Sequence, residues 1–230
     1  MKLPIRTLLA VASVGVLAAS GTATAAPKPK PVCNLVEDAK GDTFAVRAQD
    51  PQKVYGPQED AFDLVSQDVA GDGKTLTGVF RVAKLAMTAG TAPGGLDYKI
   101  QFVVPGQNPT KENFILNART DRAGAPSYLL ALRTVVAQGQ AISTKIAEAT
   151  GTFDMAKSEV RIHVPIDAVK STTSTLAKGA ELTLKGLDQT SSRSTVVNPV
   201  TGTATAAFAD VAATEKSYKL GTPSCVIPGK

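Results

Sequence analysis

Oxygen-bearing side chains are the residues of this chain with the clearest capacity for chemistry. Glu37, Asp38 and Asp42 stand around Gly41 in the run Glu-Asp-Ala-Lys-Gly-Asp. A second acidic group, Glu59, Asp60 and Asp63, precedes an apolar segment, and Asp210 lies in a late Ala-Asp-Val run. Hard cations such as Ca²⁺ take several oxygens at once, from carboxylates and backbone carbonyls. A glycine lets a loop fold back so that such oxygens converge. The spacing is not that of an EF-hand loop. Two plainer readings stand beside it. Acid-rich loops are commonly just solvated. A glycosidase-type carboxylate pair can also be drawn, with Glu59 or Asp60 against Asp63.

Other chemistries lack their parts. A Ser-His-Asp or Cys-His site needs a histidine beside its nucleophile. The chain has one histidine, His163, and no Gly-x-Ser-x-Gly elbow. A structural or catalytic zinc needs several His or Cys ligands. No Gly-x-x-x-x-Gly-Lys-Ser/Thr phosphate loop occurs. Haem ligation has Met87, Met155 and His163 to draw on, without a proximal and distal pair, so no haem is expected. Sugars stack on flat exposed rings, and the chain has no tryptophan. Tyr98 and Tyr128 fall on apolar strand faces and read as core. Tyr55 and Tyr218 lie in loop-like or terminal settings, and Tyr55 is the candidate ligand-binding ring, set against ordinary half-buried packing.

The first residues point to export. Lys2 and Arg6 precede an apolar run from Leu8 to Ala19, and Ala23-Thr24-Ala25 is a small-residue cleavage pattern. Residues 1–25 therefore read as a signal peptide, too short in its apolar part to anchor in a bilayer. Residues 26–32 form a Pro/Lys-rich stub with polyproline character. Cys33 lies too far past the cleavage point to carry a lipid. Loss of Lys2 and Arg6 leaves 23 basic against 20 acidic residues, a net charge of +3. The charges are interspersed, with no basic stripe flanked by aromatics, which argues against nucleic acid. No second hydrophobic segment follows, so no membrane insertion is expected. The expected location is extracellular, with cell-wall association open, and the expected state is a monomer. Cys33 and Cys225 are the two cysteines. In an oxidising compartment an even pair near opposite ends of a domain pairs as one disulfide.

The elements that must position these residues read as strands. Tyr98, Ile100, Phe102 and Val104 alternate with other residues, as do Leu76, Gly78, Phe80 and Val82, then Tyr128, Leu130 and Leu132, then Val160, Ile162 and Val164. This is the period-two pattern of a strand with one apolar face. His163 falls opposite the apolar face of its strand and is expected to meet solvent. Gly71-Asp72-Gly73, Pro93-Gly94-Gly95, Pro105-Gly106, Gly124-Ala125-Pro126 and Gly139 punctuate the runs. Gly151 to Val164 reads as a hairpin turning over Asp154 to Ser158. Helical content is limited to one or two short turns, at Ile166 to Val169 or Thr172 to Lys178. Asn198 to Ala207 reads as a loop or weak edge strand. The expected fold is all-β, an antiparallel two-sheet β-sandwich of jelly-roll or Ig-like type, forming one domain over residues 33–227.

Several runs together resemble the secreted family-9-type carbohydrate-binding-module and DOMON-like β-sandwiches. They are Val36 to Asp42, Asp60 to Leu64, Asp72 to Leu76, Gly151 to Asp154 with Val160 to Pro165, and Phe208 to Asp210 with Tyr218 to Gly221. The resemblance covers Cys33 to Gly221, and it implies a sandwich that often carries structural calcium. Carried across, it makes Asp38, Asp42, Asp63 and Asp210 the candidate calcium ligands. The function expected is a secreted, non-catalytic binding module, calcium-stabilised, that recognises an extracellular or cell-surface glycan or protein. A secreted hydrolase or enzyme-accessory domain, and a structural envelope protein, are the alternatives.

Overall fold

Alternating side-chain direction governs the strands. On the strand Thr75–Val82, Leu76, Phe80 and Val82 point into the interior, and on Leu96–Phe102 the same holds for Tyr98, Ile100 and Phe102. The structure is a computed structural model that describes residues 28–43, 46–47, 50–54, 59–88, 94–136, 140–184, 190–197, 204–212 and 214–230. The leader 1–25 and the first two residues of the stub lie outside the described residues, as does Tyr55.

Two antiparallel sheets make the sandwich. In chain order the strands are β1 (Val36–Glu37), β2 (Val46–Arg47), β3 (Asp50–Val54), β4 (Leu64–Gly71), β5 (Thr75–Val82), β6 (Leu96–Phe102), β7 (Glu112–Thr120) and β8 (Pro126–Val135). They continue as β9 (Ala141–Glu148), β10 (Thr150–Asp154), β11 (Glu159–Pro165), β12 (Glu181–Thr183), β13 (Thr190–Val197), β14 (Ala204–Ala212) and β15 (Ser217–Lys219). One sheet has five strands in the order β1-β4-β5-β11-β10, the other six in the order β14-β13-β6-β7-β8-β9. Two small pairs, β2-β3 and β12-β15, complete the pattern. The expected hairpin forms as β10 and β11, with Asp154 paired to Glu159. Ile166–Ala168 is a short 3-10 turn. The segment after it is not helical, because Lys170 and Thr175 form a β-bridge there. Residues 204–207 form part of β14, an edge strand of the larger sheet.

The core lies between the sheets. Phe80, Leu76, Val160 and Ile162 of one sheet and Tyr98, Ile100, Phe102, Phe114, Leu116 and Leu130 of the other are all fully buried. The layers approach closely at Gly78. A methyl group there would lie 2.8 Å from Leu116 Cδ1 and 2.9 Å from Ile100 Cδ1, so the glycine sets the local spacing of the sheets. Aromatic rings tie the layers together, Tyr98 packing on Phe80 at 5.9 Å and on Phe153 at 6.0 Å between centroids. The Tyr98 hydroxyl, buried with its ring, donates to Ala61 O at 2.7 Å.

The two ends of the domain are joined. Cys33 and Cys225 form the disulfide, with Cα atoms 5.2 Å apart and 192 residues between them in sequence. Val32 N–H donates to Pro223 O and Cys225 N–H to Val32 O, a parallel bridge beside the covalent link. The C-terminal residues then cross the outer side of the five-stranded sheet. Gly229 N–H donates to Thr77 Oγ1 at 3.0 Å, Arg161 Nη1 donates to Lys230 O, and Val226 is buried.

That outer side carries a buried ionic chain. Asp68, fully buried, accepts from Leu35 N–H at 3.0 Å and from Arg81 Nη1 at 2.7 Å. Arg81 Nε reaches Glu159 at 3.0 Å, and Glu159 in turn holds Arg161 Nε at 2.6 Å. His163 sits beside this chain. Its Nδ1 is 2.9 Å from Thr77 Oγ1, and burial, with Arg161 nearby, lowers its pKa. It is half-buried rather than solvent-facing, because the C-terminal tail covers that side of β5 and β11.

Candidate cation site

Two separate pieces of chain bring three carboxylates to one place. Asp38 follows β1, where its N–H donates to Val65 O at 3.1 Å. The loop then turns back through Gly41, whose φ of +85° suits glycine, and delivers Asp42. Asp210 comes from β14, next to a register irregularity in its pairing with β13. Bulges of this kind re-aim a side chain relative to its strand. One oxygen each from Asp38, Asp42 and Asp210 lies within 4.8 Å of the others. Such a group can coordinate a divalent cation.

Asp63 is adjacent. Its Oδ2 accepts from Gly41 N–H at 2.9 Å, which ties the start of β4 to the loop that carries Asp42. Asp210 acts the same way from the other side: its Oδ2 accepts from Leu64 N–H at 2.6 Å and its Oδ1 from Val211 N–H at 2.8 Å. Asp63 and Asp210 are both buried, at 5% and 2% exposure. Three buried oxygens of Asp63 and of the Asp38–Thr43 loop have no hydrogen-bond partner: Asp38 Oδ2, Asp63 Oδ1 and Thr43 Oγ1. Buried polar atoms without partners are rare in folded proteins, and each carries a desolvation cost of about 1–3 kcal/mol.

The electrostatics match this crowding. Burial, then repulsion from Asp42, raises the Asp38 pKa to about 6. Burial, followed by the Asp38 and Asp42 charges, raises Asp210 to about 7 against the pull of its two backbone donors. Burial also raises Asp63, helped by Asp42 and Asp60. The Lys40 charge pulls the Asp63 pKa down against these, and no salt bridge reaches Asp38, Asp42, Asp63 or Asp210 among the described residues. A site with this much negative charge and no salt bridge among the described residues favours either protons or a cation.

The remaining sequence candidates fall elsewhere. Tyr218 is buried, its hydroxyl donating to Thr222 O at 2.7 Å, so it offers no stacking surface. Met155 is exposed in the β10–β11 turn, and Met87 lies in a loop. Pockets of about 400, 380 and 250 Å³ open on the surface, and none of these three is lined by the clustered acids. Thr43 escaped the sequence reading. Its only signal there was its place directly after Asp42. No helix among the described residues is long and apolar enough to cross a membrane.

No family model matches this chain, nor does any curated protein or solved structure. The two-sheet sandwich expected from the sequence is present, whereas neither the carbohydrate-binding-module family nor the DOMON family gains support from the comparisons.

Proposed function

We propose that this chain is an exported, non-catalytic β-sandwich module in which Asp38, Asp42, Asp63 and Asp210 hold one calcium ion, and that it acts by binding an extracellular or cell-surface glycan or protein. The observation that carries the metal reading is the meeting of three carboxylates from β14 and the loop after β1, a loop on which Asp38 Oδ2 and Thr43 Oγ1 are buried without donors. A calcium shell is about 5 Å across, from metal–oxygen distances of 2.3–2.6 Å, and the clustered oxygens fit inside it. Calcium also accepts irregular sets of carboxylate, hydroxyl and water oxygens, which suits a site assembled from loops. Bound there, the ion offsets the mutual repulsion of the acids and pins the Asp38–Thr43 loop to β4 and β14.

The binding role rests on the rigid scaffold and the sparse catalytic equipment, since loops on such scaffolds carry recognition. Calorimetric titration of the chelator-stripped exported chain with calcium is the direct test. One ion per chain with saturable heat is expected. An absence of calcium binding at millimolar concentration removes the metal. A glycan array and a surface pull-down, both blank with the calcium-loaded protein, remove the binding role.

A further inference from the structure

Away from the acidic cluster, the outer face of the six-stranded sheet holds a second group of reactive side chains. Lys99 on β6 and Asn117 on β7 face each other as register partners in the antiparallel pair. Asp97 lies two residues before Lys99 on the same strand and therefore on the same face. Its carboxylate holds both neighbours at once. Oδ2 accepts from Lys99 Nζ at 2.6 Å, and Oδ1 accepts from Asn117 Nδ2. Asn117 Nδ2 also donates to Tyr98 O at 3.0 Å, so both amide protons are engaged and the carboxamide has one orientation.

The group is sheltered. Asn117 is 4% exposed, and the side chains of Asp97 and Lys99 are 13% and 18% exposed. Arg119 approaches Asp97 Oδ2 only to 4.0 Å, from the solvent side.

We propose that Lys99 and Asn117 are joined by an intramolecular isopeptide bond, with Asp97 carrying the proton between the attacking and leaving nitrogens. A lysine amine is a nucleophile only when neutral. Asp97 Oδ2 is in contact with Nζ and takes one proton from it. The Nζ lone pair then forms a bond to Cγ of Asn117. Asp97, whose other oxygen touches Nδ2, protonates that nitrogen as the Cγ–Nδ2 bond breaks. The second Nζ proton leaves through the same carboxylate to the departing ammonia. One C–N bond forms and one breaks. A lysine ammonium and a carboxamide become a secondary amide and an ammonium ion, Asp97 ends as the carboxylate it began as, and no oxidant or cofactor enters. Neighbouring strands supply the proximity that makes such a slow reaction possible within one chain.

Peptide-level mass spectrometry of the exported chain tests this. Residues 99 and 117 are expected in one branched peptide, lighter than the sum of its two parts by one ammonia. Lys99→Arg and Asp97→Ala are each expected to give the two separate, unmodified peptides. Unlinked peptides from the wild-type chain overturn the proposal. So does an ammonia loss confined to Asn117 as a cyclic imide with Lys99 free, or a loss that persists in Lys99→Arg.

Discussion

The side chain of Asp210 accepts the backbone N–H of Leu64 at 2.6 Å, across 146 residues of sequence. A late edge strand thereby holds the first residue of β4, next to Asp63, and brings its own carboxylate to the loop after β1. The candidate cation site is therefore a tertiary contact first, and any ion in it would report on how these three segments dock.

Asp38→Asn separates charge from shape at this site. In excess chelator the variant is expected to melt above wild type, because one half-buried charge is removed from a group that repels itself. In excess calcium the order is expected to reverse. At ~100-fold excess over its dissociation constant an ion adds about 2.7 kcal/mol to the wild type, and a variant that has lost a ligand gains less. Paired thermal melts with chelator and with calcium check both halves, and a variant that ranks the same way in both conditions contradicts the site.

The pH dependence of the metal-free protein has a defined sign. Asp38 and Asp210 have folded-state pKa values raised to about 6 and about 7. Above the unfolded carboxylate pKa of about 3.9 the native state therefore binds more protons than the unfolded state, and stability falls as pH rises. These two groups contribute fully below about pH 4, and the contribution is lost as pH climbs through 6 and 7. Denaturant midpoints in chelator are expected to drop from pH 5 to pH 8. Calcium flattens that slope, since it competes with the same protons.

Arg81 is the hub of the ionic chain on the outer side of the five-stranded sheet, bonded to both Asp68 and Glu159. Arg81→Ala leaves those two buried carboxylates without their shared cation, and about 3 kcal/mol of stability is expected to go. Lys145→Ala, which breaks the exposed pair with Glu148, is expected to cost less than ~0.5 kcal/mol. Urea unfolding of the two variants side by side makes the comparison. Equal effects contradict the burial argument.

Opening the Cys33–Cys225 link by a double Cys→Ser change is expected to cost about 2–5 kcal/mol, measured by denaturant unfolding. The upper end reflects the 192-residue separation. The hydrogen bonds of Val32 to Pro223 and Cys225 remain to hold the ends in register. A change below ~1 kcal/mol indicates that the reduced chain already keeps its ends together.

Much of the architecture was legible because it rests on local alternation. The β10–β11 hairpin follows from Val160, Ile162 and Val164 on one face and Asp154 at the turn, where its Oδ1 accepts from Ala156 and Lys157. The cysteine pairing follows from the even number and the expected export, and the disulfide is present. What stayed hidden depends on residues far apart in sequence. Nothing near Asp68 announces that Arg81 and Glu159 will meet it. His163 reads as solvent-facing by parity alone, and only the returning C-terminus covers it. Among the acids, Asp38 and Asp42 are marked by their loop. Asp210 joins them only through strand pairing across the fold, and Asp63 stands beside the cluster, holding Gly41.

The covalent closure beside Val32 and Ser224 has a mechanical consequence. A pull applied to segments on either side of the domain runs from residue 32 through Cys33 to Cys225 and out at residue 226, bypassing every strand from β1 to β15. Tension along the chain therefore loads a sulfur–sulfur bond rather than the hydrogen-bonded ladders. The oxidised domain is expected to behave in a force experiment as a short inextensible link, and only after reduction to lengthen by unravelling.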